Sequence, residues 1–281
     1  MKKNQLATLW VIACCLLFSC HKPDFPGATK GCQLIRSEGH NLSYDSRYIY
    51  TFSYNNKRLM DTLKWGPGFL PEPPLVIDIQ YNAQSQPVLM KSVLSTTKMI
   101  YQNGRIIRID ELGTDNLYHV RITFKYDIYG RVIESSSVTL GTTRYEYKDA
   151  SRNFSRRIGV DANQPDGWGL MEEYKYDHKV NPRATWPNLA LNPLSMEIYE
   201  DMPSSFEPIT DNNCIYQASI GRVYGVPFTY QELFHSYEYD NVYPVIDHVR
   251  KVNHSTADPD RVTLSEIKYT YDCAPKGAHG F

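Results

Sequence analysis

The stretch FKYDIYGRVIES, residues 124–135, sets the reading of the whole chain. Upstream of it Val120, Ile122, Phe124 and Tyr126 alternate with Arg121, Thr123 and Lys125. A period of two, with one apolar-aromatic face and one polar face, marks a strand buried on one side only, as in antiparallel sheets. Asp127 then opens a turn, because its carboxylate is placed to accept from the backbone two residues on. Gly130 supplies the positive φ that a type I turn followed by a G1 bulge requires. The stretch is therefore a hairpin corner whose residues serve backbone geometry.

The corner recurs. An aromatic-x-Tyr element followed by a turn appears with key tyrosines at Tyr54, Tyr81, Tyr101, Tyr126, Tyr147, Tyr176, Tyr239 and Tyr271. All spacings but one fall between 20 and 32 residues, the length of one hairpin and its return. In the copy at Tyr101 the turn shortens to Asn103-Gly104, suited to a two-residue type I′ hairpin. The exception is a 63-residue gap between Tyr176 and Tyr239, which holds prolines at 182, 187, 193, 203, 208 and 227. Residues 182–231 are expected to leave the sheet as one long irregular insertion, with a short helix over 194–201 and a small strand over 214–220. The predicted fold is all-β: a curled antiparallel meander of repeated hairpins, open or partly closed, in a single domain over 32–281. A content of 22 tyrosines fits such half-buried pleated faces.

The N-terminus carries a different signal. Lys2 and Lys3 precede a thirteen-residue apolar stretch, Leu6 to Phe18, too short to span a bilayer as a helix but suited to a secretory signal. A small residue then precedes Cys20 in LFSC, a pattern that matches the lipobox of bacterial lipoproteins; VIAC ending at Cys14 leaves a much shorter apolar run. The expectation is a signal peptide over 1–19, acylation of Cys20, and a Pro/Gly-containing tether over 20–31. Two or more acyl chains anchor stably, because each buried methylene contributes about 0.8 kcal/mol. Cys32, Cys214 and Cys273 remain in the mature chain, so at most one disulfide forms in that oxidising compartment. Spacing does not choose the pair, and buried free thiols are the expected state.

The YDIYGRVIE segment is similar to the YD-repeat of RHS-type proteins, whose strands build large curled sheets. The order of CQLIRSEG, several Tyr-Asp hairpins, YKYDHKVNPR and YEYDNVYPVI resembles a set of Bacteroidota lipoproteins with YD-like hairpins. The resemblance runs loosely over residues 32–273, and Tyr54, Tyr81 and Tyr147 depart from it, being followed by Asn, Asn and Lys. It implies an all-β repeat sheet and an outer-membrane lipoprotein, and it implies no catalytic residues. Only Asp24 is acidic between Cys20 and Cys32, so the periplasmic and surface-facing sides both stay open.

Site chemistry is sparse. A formal net charge of −1, with Lys and Arg dispersed, removes nucleic acid as an expected partner. Eight histidines show no metal-site spacing, and no metal or cofactor is expected. His248 and His254 would lie about 20 Å apart on a continuous strand. His235, on the face of Tyr237 and Tyr239, reads as a sheet histidine with no carboxylate to complete a site. Glu172–Glu173 and Glu238–Asp240 are possible acid pairs, the latter about 7 Å apart on one strand face. Trp65, Trp168 and Trp186 sit beside Gly or Pro, are expected in loops, and are the candidate ligand-binding residues. The expected function is a lipid-anchored, non-catalytic envelope binding module, its partner an envelope protein or a polysaccharide. A hydrolase with dispersed carboxylates and a carrier of a hydrophobic ligand are the alternatives.

Overall fold

A computed structural model describes residues 32–57, 59–67, 75–139, 141–164, 167–182, 191–192, 207–223 and 225–273. The signal segment, Cys20, the tether, Trp186 and the expected helix over 194–201 lie outside the described residues. The wall is built from β1 (Cys32–Asn41), β2 (Ser46–Tyr54), β3 (Met60–Pro67), β4 (Leu75–Tyr81), β5 (Pro87–Lys91), β6 (Thr96–Gln102), β7 (Arg105–Leu112) and β8 (Tyr118–Tyr126). It continues through β9 (Val132–Ser137), β10 (Gly141–Tyr147), β11 (Phe154–Val160) and β12 (Trp168–Val180). A two-stranded ribbon follows, β13 (Leu191–Asn192) with β14 (Glu207–Pro208). The last wall strands are β15 (Asn212–Val223), β16 (Val226–Asp240), β17 (Tyr243–Asn253) and β18 (Arg261–Cys273).

The meander closes. Sixteen strands form one antiparallel barrel in which β1 pairs with both β2 and β18, so the expectation of an open or partly closed sheet is corrected. Closure removes the two edges that an open meander would leave with unpaired backbone groups. At the seam Ser37 lies opposite both Tyr50 and Tyr269, and a disulfide joins Cys32 to Cys273, where free thiols were expected. Cys214 alone stays free among the described cysteines, its thiol pushed up to about 12 by burial and therefore protonated and unreactive. The expected insertion is narrower than 182–231, because residues 212–223 and those from 226 onward are wall strands paired with β12, β16 and β17.

The repeated corner explains the wall. Asp127 Oδ1 accepts from the backbone N–H of Tyr129 and of Arg131, both at 2.9 Å, and Gly130 has φ of +84°. Asn103 and Gly104 have φ of +51° and +77°, the type I′ geometry. A register shift falls immediately before Tyr54, Tyr81, Tyr101, Tyr126, Tyr147, Tyr176 and Tyr239, one extra residue per hairpin. The extra residue sits on the return strand, at Asp61, Val88, Ile107, Ile133, Ser155, Ile215 and Val245, and such a bulge bends the strand that carries it. The key tyrosines donate to backbone carbonyls on the preceding strand: Tyr54 to Leu34, Tyr81 to Met60, Tyr101 to Pro87, Tyr126 to Ile106, Tyr147 to Val132, Tyr176 to Phe154 and Tyr271 to Pro244. In the copy at Tyr239 the role passes to Tyr237, which donates to Cys214 O at 2.8 Å, while Tyr239 bonds Asp177 and Asn213. Arg131 carries the stitching further, pairing with Asp127 at 2.7 Å and lying 4.3 Å from the Tyr147 ring.

All these corners share one rim, here the turn rim, with both ends of the described chain. The return connections make up the opposite loop rim. Because the ladder joins each hairpin to its neighbour, Tyr126→Phe is expected to cost about 1–2 kcal/mol by leaving the Ile106 carbonyl without its donor. Tyr129→Phe, at a ring 61% exposed, should change nothing. Urea unfolding of the two variants measures the difference.

Inward side chains from β1 to β11 form one continuous apolar core, with Leu63 and Ile109 0% exposed and Phe52 and Phe124 at 4% and 7%. A circular wall of sixteen strands is wide enough for a water-filled channel. Side chains buried to this degree line no such channel. Gly39 serves the packing, since a Cβ there would fall 1.9 Å from the ring of Tyr48.

Candidate functional site

The interior is apolar in one arc and polar in another. From β2 to β8 the inward residues are largely Ile, Leu, Met, Phe and Tyr. From β11 round to β18 the strand register turns charged and amide side chains inward among the aromatics. Arg157 lies opposite both Tyr145 and Glu172, and its guanidinium is 3.2 Å from the Glu172 carboxylate. Tyr174 OH donates to Glu172 Oε2 at 2.9 Å, and Gln217 Nε2 donates to Oε1 at 3.3 Å. Glu172 is therefore held by three groups at 9% side-chain exposure. Glu173 points outward to Arg156, so these adjacent acids lie on opposite faces and form no pair.

Two strands on, His235 Nδ1 lies 2.9 Å from Asp247 Oδ2, with side-chain exposures of 10% and 2%. The carboxylate that sequence reading did not find for His235 is thus Asp247, delivered by β17. Ideal hairpin symmetry would have set His235 against His248. The bulge before Tyr239 shifts the register, so that Tyr237 faces Asp247 and His235 faces Val249. Tyr237 stacks on the imidazole at 5.9 Å with an interplanar angle of 9°. Asp247 Oδ1 is buried with no hydrogen-bond partner. Val249, opposite His235, and Ile267, opposite Asp247, form with Leu233 a second, smaller apolar cluster.

The other candidates separate. Glu238 pairs with His248 on the outer face, and with Asp240 exposed beside it no buried acid pair forms there. His254 sits between Glu232 and Asp260 at 2.9 Å from each, which ties the β17–β18 connection to β16. The bond to Glu232 raises the His254 pKa above its ordinary value, and bonds from Tyr216 and His254 hold that of Glu232 low. Among the described residues no three His, Cys, Asp or Glu side chains converge as metal ligands.

The tryptophans do not form one site. Trp65 falls within β3, in register with Tyr50 and Leu75, where a loop was expected. Trp168 is the first residue of β12, and the Arg222 guanidinium packs over its ring at 4.2 Å. Neither is the free loop tip that Gly and Pro neighbours implied, because an adjacent glycine ends or bends a strand as readily as it makes a loop.

The outer wall is polar. Glu134 bridges Lys125 and Arg144 at 2.7 and 3.6 Å, and Arg156 bridges Glu146 and Glu173 at 3.7 and 2.9 Å. Strongly exposed apolar residues concentrate on the loop rim, while Val120, Val262 and Leu264 on the outer wall are 43% to 47% exposed. Leu42, Val93, Leu94, Leu117, Val138 and Val226 are between 53% and 89% exposed, on or directly beside five return connections. On the turn rim only Ile128, Tyr129 and Val242 stand out among the described residues.

The fold and these surfaces define a closed antiparallel barrel, charged outside, with a large apolar core along β1 to β11 and a smaller one along β16 to β18 within. No family model matches the chain, and no curated protein matches it. Among solved structures it is similar to a porin-like protein from Bacteroides uniformis, with a TM-score of 0.43 and 8% identity over 85% of this chain and 98% of that one. It is also similar to a chain of the TcdB2-TccC3-TEV structure, with a TM-score of 0.28 and 12% identity over 78% of this chain and 15% of that one. Neither likeness is strong enough to carry a function across.

Proposed function

We propose that the chain is a lipid-anchored cell-envelope protein whose barrel stands in water and acts as a non-catalytic binding module. The observation that carries this reading is the sign of the two faces. Lys64, Lys98, Arg108, Arg144, Arg156, Arg250 and Lys268 all lie on the outward face within their strands. A membrane-spanning barrel needs an apolar band there, and each Lys or Arg near the bilayer midplane costs about 2–4 kcal/mol. The inward face, apolar over half its circumference, is the reverse of a porin lumen. Attachment to a membrane then falls to acylated Cys20. Cys32, the residue after the tether, begins β1 on the turn rim, so an anchor at Cys20 is expected to leave the loop rim on the far side. The apolar tips on that rim suit a protein partner of the envelope, because leucine and valine gain free energy against another apolar surface and nothing against sugar hydroxyls.

Two measurements test the two halves of this reading. Cys20→Ala should abolish acyl labelling and move the protein from the membrane fraction to the soluble one. Retention in the membrane fraction would show that the wall itself is embedded. A photo-crosslinking residue at Val93 should give a discrete protein adduct in intact cells, and the same residue at Ile128 on the turn rim should give none. Equal labelling from both rims would remove the loop rim as the docking surface.

A further inference from the structure

We infer that His254 is a protonation-dependent clasp, which holds the β17–β18 connection over residues 254–260 against β16 and so fixes one sector of the loop rim. Its Nε2 lies 2.9 Å from Glu232 Oε2, and its Nδ1 lies 2.9 Å from Asp260 Oδ2. A neutral imidazole carries one N–H and one lone pair, so against two carboxylates it sets a lone pair against a negative oxygen. Only the imidazolium donates at both nitrogens. Glu232 does not take up the proton in its place, because Tyr216 donates to its other oxygen at 2.7 Å and Arg250 adds positive charge. Tyr216 remains a donor, its phenol pushed up to about 12 by burial and by Glu232. Around the ring, β15 thus contributes Tyr216, β16 Glu232, β17 Arg250 and the connection itself Asp260.

Other histidines do not make the same demand. His40 with Asp45 and His119 with Asp115 each set one ring nitrogen, at 2.8 Å, on a single carboxylate. His248 reaches Glu238 at 2.9 Å, but Glu266 at 3.6 Å lies beyond hydrogen-bond distance, and backbone bonds already pair the three strands concerned. Residues 255–260 are exposed, and besides the clasp a backbone bond from His254 to Tyr230 O, at 2.8 Å, ties their segment to β16. The segment leads into Arg261, whose guanidinium packs over the Tyr44 ring, and Leu42 donates to Leu264 O at 2.9 Å. Movement of residues 254–260 therefore reaches Leu42 and Tyr44, both 53% exposed. The bonds to Glu232 and Asp260 favour the charged ring, so the clasp is complete below the ordinary histidine value of 6.5 and opens as pH rises through the raised one. Toward acid it lasts until Glu232 binds a proton, below its ordinary value of 4.5. This device stands apart from the binding-module reading.

The full chain in detergent, spin-labelled at Ala257→Cys, provides the test, since Cys214 is buried and protonated and Cys32 and Cys273 are joined. A mobile nitroxide component is expected to grow in a single-proton step as pH rises from about 5.5 to 9.5, with its midpoint above 6.5. Glu232→Gln should move that midpoint down, because a neutral amide no longer favours the charged ring. His254→Gln should abolish the step and leave the label mobile throughout. The same label at Val93→Cys, on a connection without histidine, should show no step. An Ala257 label with no step overturns the proposal, as does a midpoint at or below 6.5 or one that Glu232→Gln leaves unmoved. A matching step at Val93 also overturns it, by showing that the whole rim loosens. If the Glu232 and His254 variants fail to fold, the labels at Ala257 and Val93 decide alone.

Discussion

Replacing Cys273 with serine is expected to destabilise the barrel by roughly 3–5 kcal/mol, the largest loss from any single change outside the apolar core. The bond joins residues 241 apart in sequence, so reduction frees nearly the whole described chain in the unfolded state. Loop-closure entropy grows slowly but steadily with that length. The bond also lies where β1 meets β18, the one wall contact that joins the two ends of the chain and so must form across the full loop. Cys32→Ser should cost the same, and the double variant no more than either single one, because all three remove one bond. Cys214→Ser should have a much smaller effect. Chemical unfolding with and without reductant checks each statement. A reduced wild type as stable as the oxidised one would show that β1–β18 pairing needs no covalent help.

Phe124→Ala is expected to cost about 3–5 kcal/mol, through lost apolar transfer and the cavity left behind. Phe124 is 7% exposed, belongs to the main core, and sits in β8 near the middle of the apolar arc. Its inward neighbour Ile122 is 5% exposed, so the site has little freedom to collapse. On the same strand Lys125→Ala should lie within about 0.5 kcal/mol of wild type. Lys125 has a side chain 72% exposed and, among the described residues, pairs with Glu134 on the outer wall. The contrast between adjacent residues tests the sign of the two faces directly. Were the barrel lipid-embedded, Lys125→Ala would be stabilising and Phe124→Ala mild. Urea midpoints of the two variants settle it.

Much of the wall was legible one hairpin at a time. The alternation in VRITFKY places Ile122 and Phe124 inside and Thr123 and Lys125 outside, as the burial shows, but Val120, expected on the same inner face, is 43% exposed beyond a register shift. Local signals are sufficient there, because a strand with one buried face must follow a period of two. Asp127, Gly130, Asn103 and Gly104 take turn geometries that short-range sterics alone dictate. Legibility failed wherever register passed between strands. The seven bulges leave no mark in composition, yet one of them brings Asp247 to His235 and so creates the interior pair. The seam failed for a related reason. Nothing near Cys32 signals that its partner lies 241 residues away, since that pairing depends on the accumulated twist and bend of all the strands between.

By itself, then, the sequence determined an antiparallel, one-sided, hairpin-built wall and the lipobox-like pattern at Cys20, because each is written within a few neighbouring residues. Only the tertiary structure decided that the wall closes, that Cys32 meets Cys273, that Glu172 and Glu173 part to opposite faces, and that His235 gains Asp247. Those outcomes are sums over many strands, and a shift of one residue in any register would turn an inward charge out to water.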